Sequence, residues 1–374
     1  MRIALIVPGG VDRSGRERVI PALLWLIERL ARRHQVLVIA LAQETMRSTY
    51  SLLGAQVNNL GPSQARLPGL GSWQRLRQTI AALDAYGGAE VVHAFWLGAT
   101  STLALGVGRA RNIPVVASIG GGELVWLPEI GYGGVASWRH RQQVRLALRG
   151  ADVITGGSRY VLAPALPTRP DARWVPLGVD ATSFGGDLAG ADRQPGPPWR
   201  LLHAASINRV KDQAMLLYAL RLVVDQEKAV HLDWFGEDTL GGALHLQVSE
   251  LDLAAHVTFH GVQPADVLAP YFRLAHLYVQ SSRHESQGVA VCEAAAAGTP
   301  TVGTAVGLVA ELAPHAAWAV PVGDAAGLAA GILTLLRDPD QRALRGRAAQ
   351  AWAQAFDADW TAAAFEAIYR EVIG

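Results

Sequence analysis

Residues 282–311, SRHESQGVAVCEAAAAGTPTVGTAVGLVAE, contain the clearest local pattern in the chain. Gly288 is placed to begin a helix. Gly298 and Pro300 are placed to end it, because glycine is common just past a helix and proline cannot continue one. Short apolar runs at 277–280 and 299–303 flank this helix and predict strands. The stretch is therefore one strand–helix–strand unit of a parallel α/β fold.

The same alternation of apolar strands and amphipathic helices extends along the whole chain in both directions. It pauses at residues 185–199, which contain four glycines and three prolines, a composition typical of a linker. We predict a domain at 1–184, a linker at 185–199, a second α/β domain at 200–351 and a C-terminal helical segment at 352–374. The other predicted strands lie at 2–7, 35–41, 57–60, 90–94, 114–118, 152–155, 173–176, 200–204, 230–235 and 256–259.

The charges of the chain are divided unequally between its two halves. The 374 residues carry 33 basic and 32 acidic side chains, for a formal net charge of +1. Residues 1–185 hold 20 arginines, no lysine and 11 acids (20 − 11 = +9), and residues 186–374 hold 13 basic and 21 acidic residues (13 − 21 = −8). The small net charge therefore does not exclude an anionic partner.

The composition, and the absence of certain residue types and motifs from the sequence, exclude several classes of protein. Half of the residues are apolar and 17% are charged, which excludes a disordered chain. Cys292 is the single cysteine, so neither an intramolecular disulfide nor a cysteine-rich metal site is possible. No signal peptide or membrane span is expected, because no apolar run is long enough. The dinucleotide and Walker glycine motifs are absent, and His284-Glu285 lacks the second histidine of a zinc-protease helix.

Glu285 and Glu293 stand on either side of Gly288 in the opening stretch. A helix that begins near Gly288 has free N–H groups at its amino end, which can bind an anion beside Glu285. Glu293 then lies about a turn and a half inside the helix. This arrangement suits a sugar nucleotide, with diphosphate at the helix end and hydroxyls on the carboxylates. The alternative is that Glu285 complements the helix dipole and Glu293 is a surface charge.

Three further segments, each at the end of a predicted strand, carry residues that could contact a ligand. Residues 202–212, LHAASINRVKD, carry Arg209 and Lys211 in a strand-to-helix loop, where a lysine suits phosphate or is simply solvated. Gly10 follows the first strand, where its backbone could approach a ligand or form an ordinary turn. His93 ends a strand of the first domain, where it either faces a binding opening or is structural.

These features resemble the family-4 retaining glycosyltransferases (group 1 glycosyltransferases), which have the GT-B architecture of two facing Rossmann-like domains with parallel sheets and an interdomain cleft. The predicted final helix, 360–372, looks like the family's helix that crosses back to the N-terminal domain. The resemblance is carried by PGG (8–10), VVHAFW (91–96), VPLGVDATSF (175–184), FHGVQPADVLAPYFRLAHLYVQSS (259–282), the E-x7-E motif ESQGVAVCE (285–293) and AGTPTVGT (297–304).

The resemblance implies transfer of a sugar from a nucleotide-diphosphate sugar to an acceptor hydroxyl, with retention and with no metal or cofactor. Lys211 and Glu285 are the implied catalytic residues: Lys211 neutralises the diphosphate and Glu285 lies beside the sugar. Glu293 is implied to bind the ribose. The other implied donor-binding residues are Gly10, Ser206, Arg209, Val262, Ser286, Gln287, Gly288 and Val289, and the acceptor-side residues are His93, Gly120 and Glu123.

Two positions depart from the family pattern. Ser206 stands where the family usually has an arginine, so Arg209 is the substitute candidate, and Gly120 stands where a histidine is common. These departures leave open a non-catalytic sugar-nucleotide-binding relative. A sugar-nucleotide epimerase of the same architecture is the other alternative.

The expected partners are the nucleotide sugar and a glycan, lipid-linked or small-molecule acceptor, with no nucleic acid. The expected location is the cytoplasm or the inner face of a membrane. Residues 138–149 are basic, which suits either an anionic membrane surface or a solvated helix face.

Overall fold

The computed structural model describes residues 1–62, 70–185 and 193–374. The described chain divides into two units, each built around its own sheet. Unit 1 consists of Met1–Leu177 and Ala358–Gly374, and unit 2 of Gly178–Asp357. Residues 186–192 of the predicted linker lie outside the described residues.

Both sheets are formed from parallel strands, as the alternation of strands and helices predicts. The unit 1 order is β3-β4-β2-β1-β5-β6-β7-β8 and the unit 2 order is β11-β10-β9-β12-β13-β14. Only the β3–β4 pair is antiparallel among the described strands. The strands are β1 (Arg2–Val7), β2 (Gln35–Ala40), β3 (Ser48–Leu52), β4 (Ala55–Asn59), β5 (Val91–Phe95), β6 (Val115–Ile119), β7 (Val153–Gly156), β8 (Arg173–Trp174), β9 (Trp199–Ala204), β10 (Val230–Phe235), β11 (Val257–Gly261), β12 (Leu277–Gln280), β13 (Thr301–Thr304) and β14 (Ala317–Val320).

Helices connect the strands and cover both faces of each sheet. The helices are α1 (Pro21–Ala31), α2 (Leu70–Tyr86), α3 (Ala99–Arg111), α4 (Trp138–Gly150), α5 (Arg159–Leu162), α6 (Ala181–Phe184), α7 (Gln213–Gln226), α8 (Ala243–Glu250), α9 (Ala265–Leu274), α10 (Val289–Ala296), α11 (Leu308–Leu312), α12 (Ala325–Arg337), α13 (Pro339–Ala355) and α14 (Ala358–Ile373). No helix in the described part of the chain combines the length and the apolar character that crossing a bilayer requires.

Two apolar clusters fill unit 1, one on each face of its sheet. Helices α2, α3 and α4 share a cluster with β1, β5 and β6. Helices α1 and α14 share the other, in which Phe365 and Tyr369 of α14 are fully buried. The last segment of the chain therefore completes the core of unit 1.

The chain passes from unit 1 to unit 2 before the predicted limit at residue 184. Phe184 is fully buried and packs against Phe272 of α9, with ring centroids 5.6 Å apart. This contact explains why residues 178–184 group with unit 2. The chain returns to unit 1 at Ala358, where α14 begins.

The strand order of each sheet reverses at one place. This place lies between β1 and β5 in unit 1, and between β9 and β12 in unit 2. Loops from the carboxyl ends of the two central strands diverge there, which leaves a crevice where parallel sheets bind ligands. The sequence places Gly10 after β1, Lys211 after β9 and Glu285 after β12.

Candidate functional site

The loop after β9 carries Lys211 on a short 3-10 helix, Arg209–Lys211. The Asn208 side chain caps this turn by accepting a hydrogen bond from the Lys211 backbone N–H at 3.2 Å. Gln213, the first residue of α7, donates from Nε2 to the Ser206 carbonyl at 2.9 Å. Hydrogen bonds therefore hold the loop at both ends, and they fix the position of the Lys211 backbone.

The loop after β12 is joined to this turn through the backbone. The Ser281 hydroxyl donates to the Lys211 carbonyl at 2.7 Å, and the Arg283 N–H donates to the Val210 carbonyl at 2.8 Å. The two loops are neighbours because β9 and β12 pair in the sheet. Residues about seventy positions apart in sequence are thereby held together.

These loops bring the side chains of Lys211 and Glu285 into direct contact. Lys211 Nζ lies 2.5 Å from Glu285 Oε1, and the Ser282 hydroxyl donates to the same oxygen at 2.7 Å. The Lys211 side chain is 24% exposed and that of Glu285 is 11% exposed. A partly accessible cation and a carboxylate therefore meet at the carboxyl edge of the sheet, where the strand order reverses.

Glycines shape the backbone around Glu285 and the start of α10. Gly288 caps the amino end of α10 with a φ of 94°, in the left-handed region that favours glycine. A Cβ on Gly307 would lie 2.6 Å from the Gln287 carbonyl oxygen and 2.7 Å from Glu285 Cβ. Because residue 307 is a glycine, the chain after β13 can pack closely against the loop that carries Glu285. The first N–H groups of α10 have no intrahelical acceptor and can bind an anion.

Glu293 lies on α10 with little access to solvent. It is 6% exposed, and burial raises the pKa of its carboxyl group to about 8. No side-chain cation or hydrogen-bond donor contacts its carboxyl group within the described residues. Burial raises the pKa of Tyr278 well above its usual value, and the carboxylates of Glu285 and Glu293 add to the increase. Glu293 is thus a buried acid with unused hydrogen-bonding capacity.

The other predicted donor-binding residues of unit 2 occupy loops at the same sheet edge. Ser206 and Arg209 are exposed, and Val262 follows β11 with 65% of its surface exposed. Gln287 is buried and donates from Nε2 to Cys292 Sγ at 3.0 Å, so it supports the start of α10. Ser286 precedes Gln287, and Val289 is the first residue of α10.

Gly10, the remaining predicted donor-binding residue, lies in unit 1, in the loop after β1. It has a φ of 81°, and an added Cβ would lie 2.5 Å from the Ile20 side chain. The position therefore requires glycine for a local reason, close packing against Ile20.

Three polar residues that hold Lys211 and Glu285 in place are not among the predicted ones. Asn208, Ser281 and Ser282 make the hydrogen bonds described above. Each is a small polar residue just after a strand, a type that commonly hydrogen-bonds to loop backbone. That signal is present in the sequence, but it occurs in many loops without a site.

His93 does not face an opening, contrary to the prediction that placed it on the acceptor side. It is fully buried in β5, and its Nδ1 and Nε2 lie 2.7 Å from Tyr369 Oη and from Ser118 Oγ, respectively. Burial lowers its pKa to about 3, so it is neutral. His93 is part of the core between β5 and α14.

Glu123 is buried beneath the loop that follows β6. Its carboxylate accepts hydrogen bonds from the backbone N–H groups of Leu97 (3.1 Å), Gly120 (3.0 Å) and Gly121 (2.6 Å). Desolvation raises the pKa of Glu123, and these backbone hydrogen bonds oppose the change. A Cβ on Gly120 would lie 2.7 Å from the Trp96 ring. Glu123 therefore organises the loop, and Gly120 allows the loop to pack on Trp96.

The described ranges contain no group of three or more histidine, cysteine, aspartate or glutamate side chains arranged to hold a metal ion. Lys211 contacts Glu285, and Arg209 lies on the same 3-10 turn as Lys211.

Comparison with known proteins finds a family match within unit 2. Residues 198–338, within unit 2, match the family model described as Glycosyl transferases group 1. This part of unit 2 is therefore similar to that family. The match includes β9 to β14 and therefore Lys211, Glu285 and Glu293.

Curated relatives are similar over part of their length. The chain is 33% identical over 199 residues to a D-inositol 3-phosphate glycosyltransferase of Arthrobacter sp. (strain FB24), covering 50% of this chain and 47% of that protein. It is 28% identical over 297 residues to a GDP-mannose-dependent alpha-(1-6)-phosphatidylinositol monomannoside mannosyltransferase of Mycolicibacterium smegmatis, covering 71% and 73%. The chain spans about half the length of the first three curated relatives, 45% to 47%.

Solved structures share the fold across the whole chain. Sucrose-phosphate synthase of Thermosynechococcus elongatus superposes with a TM-score of 0.80 at 19% identity, covering 100% of this chain and 99% of that one. Anabaena HepE, solved with UDP and glucose, has a TM-score of 0.74 at 18% identity, covering 98% of each chain. The architecture is the GT-B fold, with two Rossmann-like parallel sheets.

Proposed function

We propose that this protein is a glycosyltransferase that moves a sugar from a nucleotide-diphosphate sugar to an acceptor hydroxyl, with retention of configuration and without a metal ion. The observation that carries the proposal is the contact between Lys211 and Glu285 where the strand order of the unit 2 sheet reverses. Support comes also from the relatives, one of which is named as GDP-mannose-dependent, and from the HepE structure, which was solved with UDP-glucose.

In the proposed complex, the donor diphosphate binds the first N–H groups of α10 and Lys211 Nζ. Lys211 then exchanges its contact with Glu285 for one with phosphate, which leaves the Glu285 carboxylate free to accept hydrogen bonds from the sugar. Glu293, which is buried and has no partner among the described side chains, accepts hydrogen bonds from the ribose hydroxyls. The buried carboxyl thereby obtains hydrogen bonds that the described side chains do not provide.

In the proposed reaction, the bond between the anomeric carbon and the donor phosphate oxygen breaks, and a bond to the acceptor oxygen forms on the same face of the sugar. The acceptor proton passes to the departing phosphate oxygen, so no separate protein base is required. Negative charge grows on the diphosphate during this step. Lys211 and the helix N–H groups stabilise that charge, because they are already positioned before the reaction begins.

The chain provides a matched control for testing Lys211. It contains only two lysines, Lys211 before α7 and the exposed Lys228 after it. We expect Lys211→Met to lower the turnover of the best nucleotide sugar about 100- to 1000-fold, the usual cost of removing one positioned donor to a growing negative charge. Lys228→Met is expected to turn over like wild type. The assay measures release of nucleoside diphosphate across a panel of donors, with and without a chelator.

The outcomes distinguish the proposal from its alternatives. Equal turnover by Lys211→Met and wild type would refute the site. An epimeric sugar nucleotide that accumulates without acceptor would show an epimerase. Binding of nucleotides with no turnover on the whole panel would show a non-catalytic relative. Loss of activity with chelator would refute metal independence, and an inverted anomeric proton coupling in the NMR spectrum of the product would refute retention.

A further inference from the structure

One face of unit 1 carries positive charge with almost no acid. Helices α2, α3 and α4 cover this face of the sheet and share one apolar cluster. Together they contain eight arginines, no lysine and one acid, Asp84. Asp84 is already paired with Arg111, at 2.6 Å between Oδ2 and Nη2. Of the eight arginines, all except Arg75 are exposed.

The helices on the opposite face of the same sheet differ in that their positive charges are neutralised by nearby acids. There the arginines of α1 and of the turn that follows it are paired with acids, including acids of α14. Arg29 Nε lies 3.0 Å from Asp359 Oδ1, and Arg33 Nη2 lies 2.8 Å from Glu366 Oε1. The excess positive charge of unit 1 is therefore concentrated on the α2–α3–α4 face.

Helix α4 adds exposed apolar side chains to this charge. Trp138, Arg141, Arg145 and Arg149 are three or four residues apart, so they line one side of the helix. Trp138 is 64% exposed and the neighbouring Leu146 is 50% exposed. The inward side of the helix is formed by Val144, Ala147 and Leu148, which are buried. An exposed tryptophan beside exposed arginines suits an interface between water and an apolar phase.

We propose that the α2–α3–α4 face docks on an anionic lipid surface. The arginines contact the headgroups, while Trp138 and Leu146 enter the boundary between headgroups and acyl chains. Three adjacent helices of this length present a face roughly 20 Å on each side, since helix axes pack about 8–10 Å apart and each residue rises about 1.5 Å. Such a face meets a bilayer over its whole area, whereas a nucleic acid offers no apolar phase for Trp138. The proposal goes beyond glycosyl transfer and does not depend on it.

Vesicle sedimentation tests the proposal without an enzyme assay. The vesicles contain phosphatidylcholine alone, or phosphatidylcholine with phosphatidylglycerol at 7:3, in low and high salt. We compare Arg145→Gln/Arg149→Gln with Arg32→Gln/Arg370→Gln, which removes the same number of charges from exposed side chains of the opposite layer. Each arginine near an anionic surface contributes about a five-fold factor to binding. We therefore expect the α4 pair to bind the anionic vesicles about 30-fold more weakly, and the control pair to bind like wild type.

A separate variant tests the contribution of the apolar side chain of Trp138. Trp138→Ala is expected to weaken binding to anionic vesicles about ten-fold while leaving the salt dependence unchanged, because no charge is lost. Circular dichroism and thermal melting verify that the variants are folded. If the double variant melts below wild type, Arg145→Gln and Arg149→Gln are measured singly, each with an expected loss of about five-fold.

Four results would overturn the proposal. These are no binding of wild type to anionic vesicles at low salt, equal binding to neutral vesicles, equal loss in the two arginine pairs, and binding of heparin by the same arginines without binding of vesicles. The last result would show a soluble polyanion as the partner of this face.

Discussion

Replacing Glu293 with glutamine is expected to stabilise unit 2 in a pH-dependent way, although Glu293 is proposed to bind the donor. Burial raises the pKa of this carboxyl group from 4.5 to about 8. The folded chain therefore holds the proton at neutral pH, whereas the unfolded chain has released it. Because the unfolded state binds fewer protons, wild-type stability falls as the pH rises from the unfolded to the folded pKa. Glutamine has nearly the same shape as protonated glutamate but cannot ionise. The variant therefore does not lose stability in this way as the pH rises.

The size of the effect follows from the two pKa values. Each pKa unit corresponds to about 1.4 kcal/mol. With limits of 4.5 and about 8, wild type loses roughly 3–4 kcal/mol of unfolding free energy between pH 5 and pH 8 relative to Glu293→Gln. In a domain of this size, 1 kcal/mol shifts Tm by about 2–4 °C. The Tm advantage of the variant should therefore grow by about 10 °C over this interval.

Scanning calorimetry at pH 5 and pH 8 measures the difference. Glu250→Gln is the control, because Glu250 is exposed at the end of α8 and belongs to the same unit. Its Tm difference from wild type should be the same at both pH values. If Glu293→Gln also gave a pH-independent difference, the reasoning from burial would be refuted. The donor nucleotide should stabilise Glu293→Gln less than wild type, which would separate the binding role from the stability cost.

Two other substitutions test the packing around the site and in unit 1. Gly307→Ala should lower kcat/KM at least ten-fold by displacing Glu285, since its Cβ would meet the Gln287 carbonyl oxygen at 2.6 Å. Gly323→Ala, with a φ of 82° and nothing within 4 Å, controls for backbone strain and should retain activity. His93→Ala should lower the unfolding free energy by about 2–4 kcal/mol in urea denaturation. The substitution leaves a cavity, removes the partner of the buried Tyr369 hydroxyl and leaves the Ser118 hydroxyl bonded to Thr155 alone. The donor KM should be unchanged, and a raised KM with unaltered stability would restore His93 to the binding surface.

The parallel α/β alternation was predictable because strands buried on both faces form continuous apolar runs. Val91–Phe95 is such a strand, with every residue buried. Two strands are not among the predicted ones. Ser48–Leu52 is polar and largely exposed at the sheet edge, where little burial shapes its sequence. Ala317–Val320 follows an alanine-rich segment whose composition favours helix.

The loop positions of Lys211 and Glu285 were predictable from the sequence, but the contact between their side chains was not. The loops that carry Lys211 and Glu285 could be located because each follows an apolar strand. Their 2.5 Å contact depends on the pairing of β9 with β12, and strand order cannot be read from local sequence. The error at His93 has a similar cause. The side of β5 on which its ring is buried is covered by Tyr369, which lies near the other end of the chain.

The arrangement of α14 has a consequence for the order of events during protein synthesis. Unit 1 is completed by residues 358–374, whereas unit 2 is formed from one continuous stretch, 178–357. On the ribosome, all of unit 2 emerges before Phe365 and Tyr369 can cover the sheet of unit 1. The first half of the nascent chain therefore waits with one face of its sheet incompletely covered while the second half folds. Unit 1 can therefore complete its core only after the whole of unit 2 has been synthesised.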